Sequence, residues 1–207
     1  MSRQNRRDLI VVFIALLFVF EMIAYVATTP RPREQFFQIY VLGANDMAAD
    51  YYPNNDPNIR LGDSVQWYLG VTDFMGTVQF VAIRVKLGNR IIAPPDDQQA
   101  LPSPAPLVAE FKRFIQNNET WEIPFVWSIS NAVAADGSTR ILELQINNET
   151  YSVEDSSALN GYNFPLIFEL WTWETDLGDL QFVWQTAGEH RVAWLQVWFN
   201  MTTPRLQ

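Results

Sequence analysis

From Leu9 to Ala27 the chain reads LIVVFIALLFVFEMIAYVA, nineteen residues that are apolar apart from Glu21. As a helix at ~1.5 Å per residue the run is roughly 28 Å long, close to the ~30 Å hydrocarbon core of a bilayer. It predicts one transmembrane helix over residues 9–28, with everything after it on one side of that membrane. Arg3, Arg6 and Arg7 precede it against a single Asp8, and short basic flanks stay cytoplasmic. Residues 1–8 thus read as a cytoplasmic tail, and the body faces outward, although Arg31 and Arg33 reduce the asymmetry. A cleaved signal peptide has a shorter apolar region ending in a small-x-small site, whereas here Tyr25 or Val26 occupies the position that needs a small residue. The run reads as an uncleaved anchor.

Glu21 is costly inside a bilayer, by about 2.5 to 3.5 kcal/mol on insertion scales. Two readings stand: it contacts another transmembrane helix, or it is protonated or snorkels to the nearby outer boundary.

The rest of the chain is large enough for one domain with a substantial core, roughly 175 residues. Setting aside Arg3, Arg6, Arg7, Asp8 and Glu21 leaves 11 basic and 21 acidic side chains, so the body carries about −10. Such a charge disfavours nucleic acid and anionic lipid as partners. The absence of cysteine excludes disulfides, thiolate metal sites and a cysteine nucleophile. Eight Trp and fourteen Phe supply the apolar area instead.

Residues 29–35, within and after TTPRPR, form a stalk, because two prolines forbid continuation of the helix. The body then spans 36–201, followed by a tail at 202–207. Phe36–Leu42 reads as a strand, and Asn45–Asn58, rich in Asn, Asp and Pro, as a loop. Ser64–Thr72 alternates Val65, Trp67, Leu69 and Val71 against polar neighbours, which predicts an antiparallel strand with one wet face. Thr77–Leu87 alternates likewise, and the intervening Phe74-Met75-Gly76 predicts a hairpin between the two, followed by a short Arg90–Ala93 strand. Five prolines between Pro94 and Pro106 predict an exposed polyproline-like excursion, read as a loop joining two sheets or as a docking segment.

Leu107–Asn117 is the helix candidate outside the membrane, or else a bulged strand. Thr120–Trp127 puts Trp121, Ile123, Phe125 and Trp127 on one face, with Pro124 suggesting an edge. Ile141–Ile146, Phe164–Trp173, Gln181–Gln185 and Glu189–Phe199 add four strands between turns at Gly137, Gly161, Gly178 and Gly188. Eight to ten strands and almost no helix predict an all-β, antiparallel β-sandwich behind one N-terminal transmembrane helix.

The segments FQIYVLG, YYPNNDPNIRLGDSVQWYLGVTD, VAIRVKLGN, NNETWEIPFVW, LIFELW and EHRVAWLQVWFN, in this order, resemble the archaeal domain-of-unknown-function family sixteen-sixteen. The resemblance covers Phe36–Asn200 and implies an immunoglobulin-like sandwich on the cell envelope, with no catalytic residue. Where that family often has Asn-His-Glu, this chain has Thr72-Asp73-Phe74.

Chemistry is constrained by inventory. His190, the one histidine, stands beside Glu189 at a strand start without a nucleophile elbow, so a Ser-His-Asp triad is not expected. One His and no Cys exclude blue copper and nitrogen- or sulfur-rich zinc sites. Oxygen ligands remain: Asp176 with Asp179, and Asn45, Asp46, Asp50, Asn54, Asn55, Asp56 and Asn58 in one loop suit calcium, though Asx residues in loops chiefly make turns. Strand parity separates Glu169 from Glu174, against a glycosidase pair. Trp171 with Trp173, and Trp194 with Trp198, share faces and read as core before sugar platform. Sequons at Asn118, Asn148 and Asn200 are glycosylation candidates, the first two in identical Asn-Asn-Glu-Thr turns.

No catalytic residue, cofactor or metal ligand is therefore assigned. The expectation is a non-catalytic, membrane-anchored envelope protein whose partners are other membrane or envelope proteins, with Glu21 as the intramembrane contact and oligomers possible. The alternative is a tethered ligand-binding module for carbohydrate or calcium; a pilin-like subunit lacks a processing site before its apolar run.

Overall fold

The structure, a computed structural model, describes residues 3–29, 34–154, 156–186 and 188–202. The chain divides into two compact units, Met1–Glu34 and Gln35–Gln207. In the first, α1 (Arg3–Thr28) is continuous, so the tail expected at 1–8 is helical from Arg3. Its Ile10–Thr28 portion has a mean hydropathy of 2.7 and is long and apolar enough to cross a membrane. The Thr28 and Thr29 hydroxyls close the helix by donating to the Ala24 and Tyr25 carbonyls at 2.7 and 2.6 Å. Stalk residues 30–33, tail residues 203–207 and residues 1–2 lie outside the described residues.

The second unit is an all-β sandwich. Its strands are β1 (Phe37–Leu42), β2 (Asn58–Ile59), β3 (Val65–Asp73), β4 (Gln79–Leu87), β5 (Leu107–Ile115), β6 (Thr120–Ala135) and β7 (Ser138–Ile146). They continue with β8 (Glu149–Ser152), β9 (Ser157–Leu159), β10 (Phe164–Glu174), β11 (Asp179–Gln181), β12 (Trp184–Thr186), β13 (Glu189–Arg191) and β14 (Trp194–Met201). One sheet has the order β1-β3-β6-β7-β8 with β9 beside β7; the other has β2-β14-β10-β4-β5 with β11 beside β10; β12 and β13 form a hairpin. Among the described residues all strand pairings are antiparallel except β2 with β14.

The core lies between the sheets. Val65, Trp67, Leu69 and Val71 of β3, with Phe125, Trp127 and Ile129 of β6, meet Val81, Ile83, Val85 and Leu87 of β4 and Phe164, Leu166, Phe168 and Leu170 of β10, all buried. Trp67 sits at its centre, 6.1, 5.2 and 6.2 Å from the Phe125, Trp127 and Phe168 rings. On the far side of β3, Gly70 lets the Tyr40 ring lie where a Cβ would meet it at 2.0 Å, and the Tyr40 hydroxyl reaches Glu122 at 3.0 Å. Burial, reinforced by Glu122, pushes the Tyr40 phenol up to about 12.

Several expectations are corrected. β3 and β4 do not form a hairpin but belong to opposite sheets. Both turn alternating apolar residues toward one core, so they face each other, and the connection crosses between layers. Asp73 Oδ1 accepts the Met75 N–H at 2.6 Å, Asn117 Oδ1 accepts the Gly76 N–H at 2.8 Å, and Gly76 adopts φ 84°. Of the two readings of Leu107–Asn117 the bulged strand holds, over Leu107–Ile115; the register shifts between Val85 and Lys86, leaving Val108 as an extra residue so that Val108 and Ala109 are both buried. That bulge mimics helical spacing.

Arg90–Ala93 is not a strand, because Asn89 Oδ1 takes the N–H groups of Ile91 and Ile92 at 2.9 and 3.0 Å. The strands expected at Gln181–Gln185 and Glu189–Phe199 are each split, since β11 joins β10 whereas β12 and β13, among the described residues, pair with each other. Pro124 pairs with Tyr68 in the part of β6 that precedes pairing with β7 at Trp127, so the expected edge holds locally.

Candidate functional site

The proline-rich segment joins two adjacent strands of one sheet, β4 and β5, rather than two sheets. It is an exposed excursion only in part: residues 97–99, Leu101 and Pro104 are exposed, whereas Pro95, Ser103 and Ala105 are buried where the segment straps the outer face of the second sheet. β10 alternates Phe164, Leu166, Phe168 and Leu170 into the core with Ile167, Glu169, Trp171 and Trp173 outward. Beneath the strap Glu169 is wholly buried. Its carboxylate meets Lys86 Nζ at 3.0 Å and accepts from the Ser103 N–H at 2.7 Å and Trp171 Nε1 at 3.0 Å. Lys86 also donates to the Ser103 carbonyl at 2.5 Å, and Trp194 Nε1 donates to Asp97 at 2.5 Å. A buried carboxylate with an ammonium and two further donors is fully compensated.

Away from the strap the same face is bare. Phe114, Phe80 and Trp173 stand in a row across β5, β4 and β10, with ring centroids 4.6 and 6.2 Å apart. Phe114 is 67 % and Trp173 43 % exposed. Trp171 is not part of this surface, because the Arg84 guanidinium lies 3.7 Å over its ring and Phe182 packs 5.9 Å away. Arg84 is held by Glu110 at 2.8 Å, and Lys112 reaches Glu110 at 2.5 Å. Desolvation raises the Glu110 carboxyl, but the hydrogen bonds from Lys112 and Arg84 prevail and hold it below its ordinary value.

At one end of the sandwich Phe37, Met75, Gln79, Trp184 and the β10–β11 turn enclose a cleft of about 500 Å³. Glu174, Asp176, Gln181, Gln185 and His190 give it a polar lining. Near its floor Trp184 packs edge-on to Phe37 at 5.1 Å.

The residues singled out from sequence are scattered. Glu21 is exposed on α1. Asn118 and Asn148 are exposed at left-handed positions (φ 63° and 70°) in the β5–β6 and β7–β8 turns. Asn200 is half-buried in β14, its Oδ1 accepting from the Asn163 N–H and its Nδ2 donating to Asn58, each at 3.0 Å. Trp171, Trp173, Trp194 and Trp198 are not core as expected but outer-face residues, Trp198 being 41 % exposed. The core positions of these strands belong to the alternate residues.

Glu169 and Glu174 fall on opposite faces, as parity requires, and Glu169 is tied to Lys86. His190 is exposed opposite Gln185 in the β12–β13 hairpin. The Asx-rich loop uses its side chains for turns: Asp46, Asp50, Asn54 and Asn55 adopt positive φ, and Asp56 accepts from the Asn58 backbone at 3.0 Å. Among the described residues no three His, Cys, Asp or Glu side chains converge as for a metal ion. The Lys86–Ser103–Glu169 cluster and the Phe80–Phe114 pair were not singled out from sequence; their signal is Phe80 and Lys86 on a strand face expected to be wet.

No family model matches the chain, and no curated protein matches it. Among solved structures it is similar to a β-glucosidase from Listeria innocua in complex with glucose, with a TM-score of 0.35 and 12 % identity over 82 % of this chain and 17 % of that one. It is likewise similar to Spo0M, a sporulation control protein from Bacillus subtilis, with a TM-score of 0.36 and 10 % identity over 80 % of this chain and 49 % of that one. The match spans less than half of either protein, and likenesses this distant carry no functional argument.

Proposed function

We propose that the chain is a non-catalytic, single-pass protein of the cell membrane whose sandwich lies outside the cytoplasm and works by contact, as an accessory or structural subunit packed against neighbouring membrane or surface-layer proteins. The observation that carries this reading is the bare aromatic row of Phe114, Phe80 and Trp173 on a sandwich whose core is otherwise closed. Apolar patches rimmed by charge, here Lys112, Glu110 and Arg84, mark partner sites. Outward orientation rests on Arg3, Arg6 and Arg7 before the span, and Glu21 supplies a polar contact for an adjacent helix. Membership of the archaeal family resembled between Phe36 and Asn200 belongs to the same proposal.

Affinity purification of the tagged chain in mild detergent is expected to return a reproducible set of partner chains by mass spectrometry. Trp173→Ser with Phe114→Ser should deplete that set while thermal stability changes little, and Glu21→Leu should weaken it by removing a contact worth roughly 0.6 to 2 kcal/mol. A chain that purifies alone, or partners indifferent to all three changes, contradicts the reading.

The end cleft favours a second reading, a tethered carbohydrate-binding module, because its amides, carboxylates and His190 suit sugar hydroxyls. Saturable binding of a neutral oligosaccharide to the solubilised chain, weakened by His190→Ala, would select it.

A further inference from the structure

We propose that β5 is a self-pairing edge through which two copies of this chain join their second sheets, an interface that goes beyond the contacts with other proteins proposed above. Among the described residues β5 pairs with β4 alone and is the longest edge strand, nine residues against six in β1, four in β8 and two in β2. An edge of that length presents a row of unpaired backbone donors and acceptors, which is a template for another strand. The strand contains no proline, and its bulge at Val108 leaves a regular stretch from Ala109 to Ile115.

Charge and parity select the partner and its register. In an antiparallel ladder, residues that direct their N–H and C=O groups outward pair with residues doing the same. In a two-fold self-pairing of β5 the facing positions must therefore share parity, which restricts the centre to a residue. Centring on Phe111 sets Phe111 against Phe111, Ala109 against Arg113, and Glu110 of each copy against Lys112 of the other. The neighbouring registers set Glu110 against Glu110 or Lys112 against Lys112, like charges directly opposed. Glu110 and Lys112 stand on the outer face, as their pairing with Arg84 and Ala82 requires, so both complementary pairs form on one side of the joined sheet. In the Phe111-centred register a second copy matches the charge pattern of this edge. The two-fold axis runs normal to the sheet, so the second sheets become continuous while the first sheets lie on the same side.

The full chain in mild detergent is expected to sediment as a dimer at micromolar concentration. Lys112→Glu and Glu110→Lys, each alone, should lower the association constant at least about tenfold, and the double exchange should restore it. The chain has no native cysteine, so single thiols report the register directly. Phe111→Cys is expected to give a disulfide-linked dimer under mild oxidation, since facing Cα atoms in an antiparallel pair lie about 4.5 to 5.5 Å apart, within disulfide range. A mixture of Glu110→Cys and Lys112→Cys chains should cross-link while neither alone does, a readout that survives if Phe111→Cys fails to fold. A monomeric wild type, or a dimer that tolerates both charge reversals and forms no cross-link at these positions, overturns the proposal. The two readings fail separately because the cross-link at Phe111, which is outside the aromatic row, reports the self-pairing of β5 directly, whereas Trp173→Ser on β10 reports the partner set.

Discussion

Trp67 is fully buried among Phe125, Trp127 and Phe168 and donates from Nε1 to the Tyr51 carbonyl, whereas its neighbour Gln66 is exposed. Trp67→Ala is expected to cost about 3 to 5 kcal/mol in denaturant unfolding and Gln66→Ala under about 0.5 kcal/mol, because only the first opens a cavity. Equal losses would contradict the packing. Asp73, at the end of the same strand, is also buried; Oδ1 accepts the Met75 N–H, and Oδ2 has no partner among the described residues. Burial raises its carboxyl above the ordinary 3.8, against the lowering effect of the Met75 hydrogen bond. The folded state therefore holds this proton more tightly than the unfolded chain, and stability is lost as pH rises from the unfolded value through the folded one. Asp73→Asn keeps an acceptor for Met75 without the charge. Its melting temperature is expected to exceed that of the wild type at neutral pH, with the difference closing below about pH 4. A variant less stable at every pH would refute this.

At the scale of elements, the strap over the second sheet depends on the Lys86–Glu169 pair. Lys86→Met leaves Glu169 buried with only the Ser103 and Trp171 donors, and is expected to destabilise by about 3 to 5 kcal/mol. Lys86→Met combined with Glu169→Leu should cost less than Lys86→Met alone, because no uncompensated charge remains. Limited proteolysis within residues 94–106 would accelerate in the single variant and recover in the double one; independent, additive losses would mean the pair does not hold the strap. The pair was not legible in sequence, since Lys86 and Glu169 lie 83 positions apart, Lys86 on a strand face expected to be wet and Glu169 on the face whose Trp171 and Trp173 read as core. The β3 alternation was legible because one face is buried along its whole length. β5 was legible only as the alternative to a helix, because its bulge at Val108 breaks the period of two.

At the scale of the molecule, topology is the open physical test. Protease added to right-side-out vesicles is expected to remove the chain beyond Arg33 and leave a tag at Met1 protected; a fully protected body would reverse the orientation. The helix long and apolar enough to cross a membrane, the turns at Gly137, Gly161, Gly178 and Gly188, and the sandwich class were all determined by sequence alone. Each depends on local chemistry: length and hydropathy, positive φ, or alternation along one strand. Tertiary structure alone decided which layer each strand joins. Alternation says that Val65–Asp73 and Gln79–Leu87 each bury a face, but a face packed from above looks the same as one packed from below, and their partners, β6 and β10, lie far along the chain. It also decided that Trp171 and Trp173 face outward while Leu170 and Thr172 face in: a strap from elsewhere in the chain buries Glu169 on the outer face, so burial occurs on both sides of β10 and does not identify the core side.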